Sequence, residues 1–252
     1  MYEFLVNLFS DDKAFSISAF SLWHFIYLFL IIAAAVITTI VLRGKTSAYV
    51  EKTLNHISIA ILVVYILDFF IMPFSHGSIN IDKLPFHFCT MASILIIFSR
   101  YNHRIMKYRP HILTVSLVAS IIYIVYPASA FGDASPLSYR VIQTMTYHGL
   151  LVVYGVSALF TGNVKLEMKS FHKCLYVILF VIAIALVANY AYSDDLNNPY
   201  DWAFINGINF NIFSEANRRL MIFAVFTAFS LSALLFYGIA YFIEKKCKKE
   251  VK

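Results

Sequence analysis

Seven apolar runs, each approaching the length of one bilayer crossing, constrain this chain more than any other feature. At about 20 residues per crossing, they are Leu22–Leu42, His56–Met72, Leu84–Ser99, His111–Tyr126, Arg140–Phe160, Phe171–Tyr192 and Leu220–Ile243. A soluble globule of 252 residues could not hide them. The chain is 60% hydrophobic and 13% charged, which leaves too little polar surface to cover such a body. The expected fold is therefore an all-α integral membrane protein, a seven-transmembrane helix bundle made by a single domain over residues 1–252.

The net charge of +6 would suit a nucleic-acid binder, but its distribution argues otherwise. Arg43, Lys45 and Lys52 occupy the first connection, Arg100, Arg104, Lys107 and Arg109 the third, and Lys165, Lys169 and Lys173 the fifth. Lys245, Lys246, Lys248, Lys249 and Lys252 fill the tail. Alternate connections are poor in bases: Lys83 stands in the second, and Arg218 and Arg219 face Asp194, Asp195, Asp201 and Glu215 in the sixth. Basic loops stay cytoplasmic, so the N-terminus is expected outside and the C-terminus inside. Seven crossings give that parity, and the charge belongs to topology and anionic lipid rather than DNA.

Smaller signals complete the outline. Ala33-Ala34-Ala35 could mimic a signal-peptidase site, but Glu3, Asp11 and Asp12 outnumber Lys13 before the first run, so a cleaved leader is not expected. Met1–Ser10 has apolar residues enough for a short interfacial helix. Residues 193–219 form the one long loop, an outer segment with Tyr200, Trp202, Phe204 and Phe210 that reads as a candidate lid. Cys89, Cys174 and Cys247 show no CxxC spacing, which gives neither a zinc site nor a disulfide framework. Neither a metal nor another cofactor is expected.

Charged side chains in hydrocarbon cost about 2.5–3.5 kcal/mol each on insertion scales, so those that occur face a bundle interior, a partner or water. Counting about 1.5 Å per residue along each run, His24, Asp68, His87, Cys89, Gln143, His148 and Asn189 all fall in the outer half of the bilayer. One outward-opening cavity would accommodate them. His56 and His111, at the inner ends, are expected to snorkel toward the cytoplasm.

The stretch Leu84-Pro85-Phe86-His87-Phe88-Cys89 joins a helix-start signal to a histidine and a thiol. Proline is tolerated in the first turn, so a helix is expected from Leu84-Pro85 to about Ser99, with His87 and Cys89 in its first two turns. Two residues apart on a helix lie about 200° apart, so a base for Cys89 must come from another run. His148 is the candidate, with Asp68, Gln143 or Asn189 to fix its tautomer, because a thiol in lipid is inert unless an imidazole takes its proton. N–H groups at the helix start could stabilise an oxyanion. The competing readings are that Cys89 is a packing residue, that His148 bonds the backbone of a neighbouring helix, and that Asp68 couples proton movement.

The Leu-Pro-Phe-His-Phe-Cys stretch, His24, Tyr147-His148-Gly149 and Asn189-Tyr190 resemble the bacterial YwaF-like integral membrane proteins, a family grouped with the eukaryotic transmembrane protein 164 acyltransferases. In the characterised eukaryotic members a cysteine carries the acyl group and a downstream histidine serves it, and Cys89 and His148 match that order and spacing. The resemblance implies a cysteine-dependent acyltransferase in a bacterial plasma membrane, moving a fatty acyl chain through a thioester on Cys89. A site open to the outer leaflet would not receive acyl-CoA, so membrane phospholipids are expected as both donor and acceptor, with no protein partner. A hydrolase using the same dyad, a proton-coupled transporter and a non-catalytic seven-helix lipid-binding protein are the alternatives.

Overall fold

The computed structural model describes residues 17–76, 81–127, 131, 135–192, 201–204 and 218–250. These residues form helices, turns and connections, with no strand among them. In order, the helices are α1 (Leu22–Leu42), α2 (Ser47–His76), α3 (Phe88–Tyr101), α4 (His103–Met106), α5 (Arg109–Val125), α6 (Tyr139–Phe160), α7 (Phe171–Tyr192) and α8 (Arg218–Glu250). Short 3₁₀ turns cover Ile81–Lys83, Met168–Ser170 and Trp202–Phe204. The expected interfacial helix over Met1–Ser10 lies outside the described residues, as does the expected lid apart from residues 201–204 and the start of α8.

Each expected run contains a helix, and four are long and apolar enough to cross a membrane: α1, α2 over Ser47–Ile71, α7 and α8 over Leu220–Phe242. The chain is a membrane protein. Phe29, Ile32 and Ile40 of α1 and Phe223, Leu235 and Phe242 of α8 are all more than half exposed, which hydrocarbon tolerates and water does not. α3 and α5 are shorter apolar helices.

Several bounds differ from expectation: α2 starts at Ser47, before His56, α8 extends beyond Leu220–Ile243 at both ends, and two differences involve a proline. α2 continues past Met72 through Pro73 to His76. A proline removes only its own N–H from the helix, and bilayer-length helices accommodate that loss. α3, conversely, starts at Phe88 and not at Leu84-Pro85. The Phe86 N–H bonds Leu84 O at 2.8 Å, a tight turn centred on Pro85 whose fixed φ suits it. His87 then takes extended backbone as the N-cap, with φ −81° and ψ 157°.

The chain divides into two compact units. The first comprises residues up to Lys83 together with Ser120–Asn163. Its centre is α6, which packs on both α1 and α2 and buries Val141, Met145, Leu151, Val153, Tyr154 and Ala158. Gly149 permits the close approach to α1: a Cβ there would lie 2.9 Å from Ile31 Cγ1. Thr39 and Ser157 hydroxyls meet at 3.2 Å, the Tyr27 hydroxyl donates to Pro136 O at 2.7 Å, and Asn163 Nδ2 donates to Glu51 Oε2 at 2.8 Å.

The second unit comprises Leu84–Ala119 and the chain from Val164 onward. Here α7 packs against α8 and against the Trp202–Phe204 turn. His111 does not snorkel as expected. It is 2% exposed, its Nδ1 bonds the Tyr237 hydroxyl, and the two rings lie parallel. Phe171 closes edge-on against Tyr237 and Cys174 is fully buried beside His111 O, so this polar knot fastens α5, α7 and α8. Burying an imidazole is tolerable once its ring nitrogen has a partner.

Candidate functional site

In the second unit the candidate site is built around the start of α3. The late start makes Cys89 the second helical residue. It therefore sits in the first turn, where N–H groups have no acceptor inside the helix. With the expected start at Pro85 that N–H would have been spent on the helix itself. Cys89, in the Pro-x-His-x-Cys stretch, is partly exposed as a residue and Cys174 is buried.

His87 is the N-cap of α3, yet its side chain makes no capping bond. Its carbonyl accepts the Met91 N–H at 3.0 Å and the Thr90 hydroxyl at 3.1 Å. The ring turns instead to the Trp202–Phe204 turn: the Ala203 N–H donates to His87 Nδ1 at 3.2 Å, and the Phe204 ring lies 5.5 Å from the imidazole. Asn189, near the end of α7, grips that turn through both ends of its carboxamide. Its Nδ2 donates to Trp202 O at 3.1 Å and its Oδ1 accepts the Trp202 N–H at 2.9 Å. Trp202 is fully buried and packs edge-on against Phe86 and Tyr192. An indole expected at the membrane interface is thus an internal anchor of the site.

The first unit holds the other candidates. His148 is buried on α6, and its Nδ1 lies 2.9 Å from Thr144 O. A carbonyl only accepts, so Nδ1 carries the hydrogen and, in the neutral ring, Nε2 carries the lone pair. Tyr123 stacks on the imidazole at 4.0 Å and 9°, while Tyr147 meets it edge-on at 5.1 Å. Gln143 is buried one turn earlier and accepts the Thr144 hydroxyl at 3.2 Å.

Asp68 is neither a lone carboxylate nor the group on His148 Nδ1. It pairs with Lys83 at 2.9 Å, with the carboxylate side chain 3% exposed and the lysine 29%. Tyr65 and Tyr139 lie within electrostatic reach of it, and Tyr65 donates to Lys83 O at 2.6 Å. Lys83 thereby offsets the cost of the intramembrane charge. His24 is a structural tie: its Nδ1 accepts the Phe20 N–H at 2.9 Å, so Nε2 carries the hydrogen and donates to Ile124 O at 2.7 Å. Phe131 closes over it edge-on at 5.3 Å.

Of the seven polar positions, the second unit joins His87 to Asn189 through two backbone groups. In the first unit Asp68 lies near Tyr65, the Tyr65 ring lies tilted 5.9 Å from that of Tyr147, and Tyr147 meets His148. The tautomer of His148 is set by Thr144, not by Asp68, Gln143 or Asn189. Sequence reasoning missed Lys83, which entered only as a loop charge, and Tyr123, one aromatic among many. It also missed the 201–204 turn. The one available signal for that turn was a buried-type tryptophan next to Asp201 in an otherwise acidic loop.

A model of the TMEM164 family matches residues 19–244. Neither a curated protein nor a solved structure matches the chain.

Proposed function

Because the chain belongs to the TMEM164 family, we propose that it is a membrane phospholipid acyltransferase working through a thioester on Cys89. In this reading the helices cross a bacterial plasma membrane seven times, N-terminus outside, and the site opens to the outer leaflet. The observation that carries the reading is the place of Cys89, a thiol in the first turn of α3.

His148 Nε2 takes the Cys89 proton as sulfur attacks the ester carbonyl of a glycerophospholipid. First-turn N–H groups of α3 stabilise the oxyanion. The tetrahedral intermediate collapses with loss of a lysolipid alkoxide, which recovers the proton from His148, and the acyl chain remains on sulfur. A second lysolipid hydroxyl then attacks the thioester while His148 accepts its proton. The new ester departs as that proton returns to the Cys89 thiolate. The support for His148 as base is its Nδ1 bond to Thr144 O, which leaves the lone pair on Nε2. Asp68 enters as the partner of Lys83 and not as a proton carrier.

Intact-protein mass spectrometry of the full chain in phospholipid nanodiscs tests this. A hydroxylamine-labile acyl adduct is expected on the wild type, lost in Cys89→Ser and slow to form in His148→Ala. Absence of any adduct, with lipids unchanged after long incubation, would leave the transporter or lipid-binding reading.

A further inference from the structure

The Trp202–Phe204 turn has a conformation that its own residues do not favour. Ala203 has φ 58° and ψ 14°, and Phe204 has φ 59°. Two successive non-glycine residues in the left-handed region persist only where the surroundings hold them. The holding group is Asn189, 5% exposed, whose carboxamide engages both main-chain polar groups of Trp202. The indole, fully buried between Phe86 and Tyr192, fixes the same residue from its side-chain end.

The product of that strain is a single directed donor. The Ala203 N–H points at His87 Nδ1, 3.2 Å away. A ring nitrogen that accepts a hydrogen bond carries no hydrogen, so the neutral His87 imidazole has its proton on Nε2. Phe204 lies against the ring, and the helix start fixes its backbone through Met91 and Thr90. An N-cap side chain ordinarily satisfies helix N–H groups. His87 does not, and is committed to the turn instead.

We infer that Asn189 is a positioning residue which, through the backbone of Trp202 and Ala203, locks His87, two residues before Cys89, as its Nε2–H tautomer. His87 thereby cannot take the thiol proton: Nε2 already bears one, and Nδ1 is occupied by the Ala203 N–H. His148, whose Nδ1 donates to Thr144 O, holds the opposite tautomer. This inference rests on the acyl-transfer reading for its catalytic consequence, but the tautomer itself is measurable without turnover.

The test is long-range proton–nitrogen NMR of the full chain in nanodiscs with nitrogen-15 histidine, the His87 signals being assigned by their loss in His87→Gln. Wild type should show His87 as Nε2–H and His148 as Nδ1–H. Asn189→Ala should give mixed tautomers at His87 with His148 unchanged. If Asn189→Ala does not fold, Asn189→Asp serves: it keeps the acceptor for the Trp202 N–H and loses the donor. Ala203→Gly, which keeps the N–H and suits the left-handed backbone, should retain the wild-type tautomer. A wild-type His87 protonated on Nδ1, or a tautomer indifferent to Asn189, overturns the inference. Failure of the acyl-transfer reading looks different, since no adduct then forms on any variant, wild type included.

Discussion

The imidazoles of His87 and His148 are each held through Nδ1 by a main-chain group, but in opposite senses. His87 accepts from the N–H of Ala203, and His148 donates to the carbonyl of Thr144. The one ring is left with its proton on Nε2 and the other with its lone pair there. A carbonyl four residues back on the same helix sets the one tautomer, and a distant strained turn sets the other. Two histidines of equal composition and similar sequence depth are thus chemically unlike, and the difference lies in which backbone atom meets one nitrogen.

The sharpest way to break the comparison begins at the thiol. Cys89→Ala should abolish acyl transfer, a loss beyond about 10³-fold when lipid products are quantified by mass spectrometry. Cys174→Ala, at a buried thiol beside His111, should change the rate by less than about twofold per folded molecule. Next come the histidines themselves. His148→Ala should slow adduct formation by about 10²–10⁴-fold, and His87→Ala by only about tenfold. Equal losses would erase the assigned roles of base and non-base.

Smaller effects should separate the chemistry from its support. Asp68→Asn strands the Lys83 ammonium and should lower stability by about 2–3 kcal/mol, less than a fully buried pair because the lysine is partly exposed. Denaturant unfolding in micelles measures it, and Lys83→Met in the same chain should recover most of the loss. Because Thr144 and not Asp68 holds His148, the adduct rate per folded molecule should stay within about twofold. Gly149→Ala should cost about 1–2 kcal/mol, because its Cβ would press on Ile31 at 2.9 Å. Pairing it with Ile31→Val should return part of that stability.

Much of the helical outline was legible. α1 and α7 occupy the runs Leu22–Leu42 and Phe171–Tyr192 to the residue, because uninterrupted apolar sequence bounded by polar residues is a local signal. α3 was misread at its start because Pro85 is equally at home in a first helical turn and in the tight turn that Phe86 closes onto Leu84. The candidate site was legible in its parts but not in its wiring. Asn189 stood out as a polar residue in an apolar run, yet its partner Trp202 lies 13 residues on in a loop read only as an interfacial lid. Asp68 stood out likewise, while the lysine that neutralises it read as a topological charge.

The sequence by itself determined that this chain is helical and membrane-embedded, and that a Pro-x-His-x-Cys stretch opens one of its apolar runs. Hydropathy and chain punctuation are properties of neighbouring residues, and neighbours suffice to read them. Only the tertiary structure decided where the protons sit. The donor to His87 is 116 residues away, the acceptor of His24 is 100 residues away, and the cation for Asp68 comes from another element. A hydrogen bond of about 3 Å depends on atoms that folding alone brings into range.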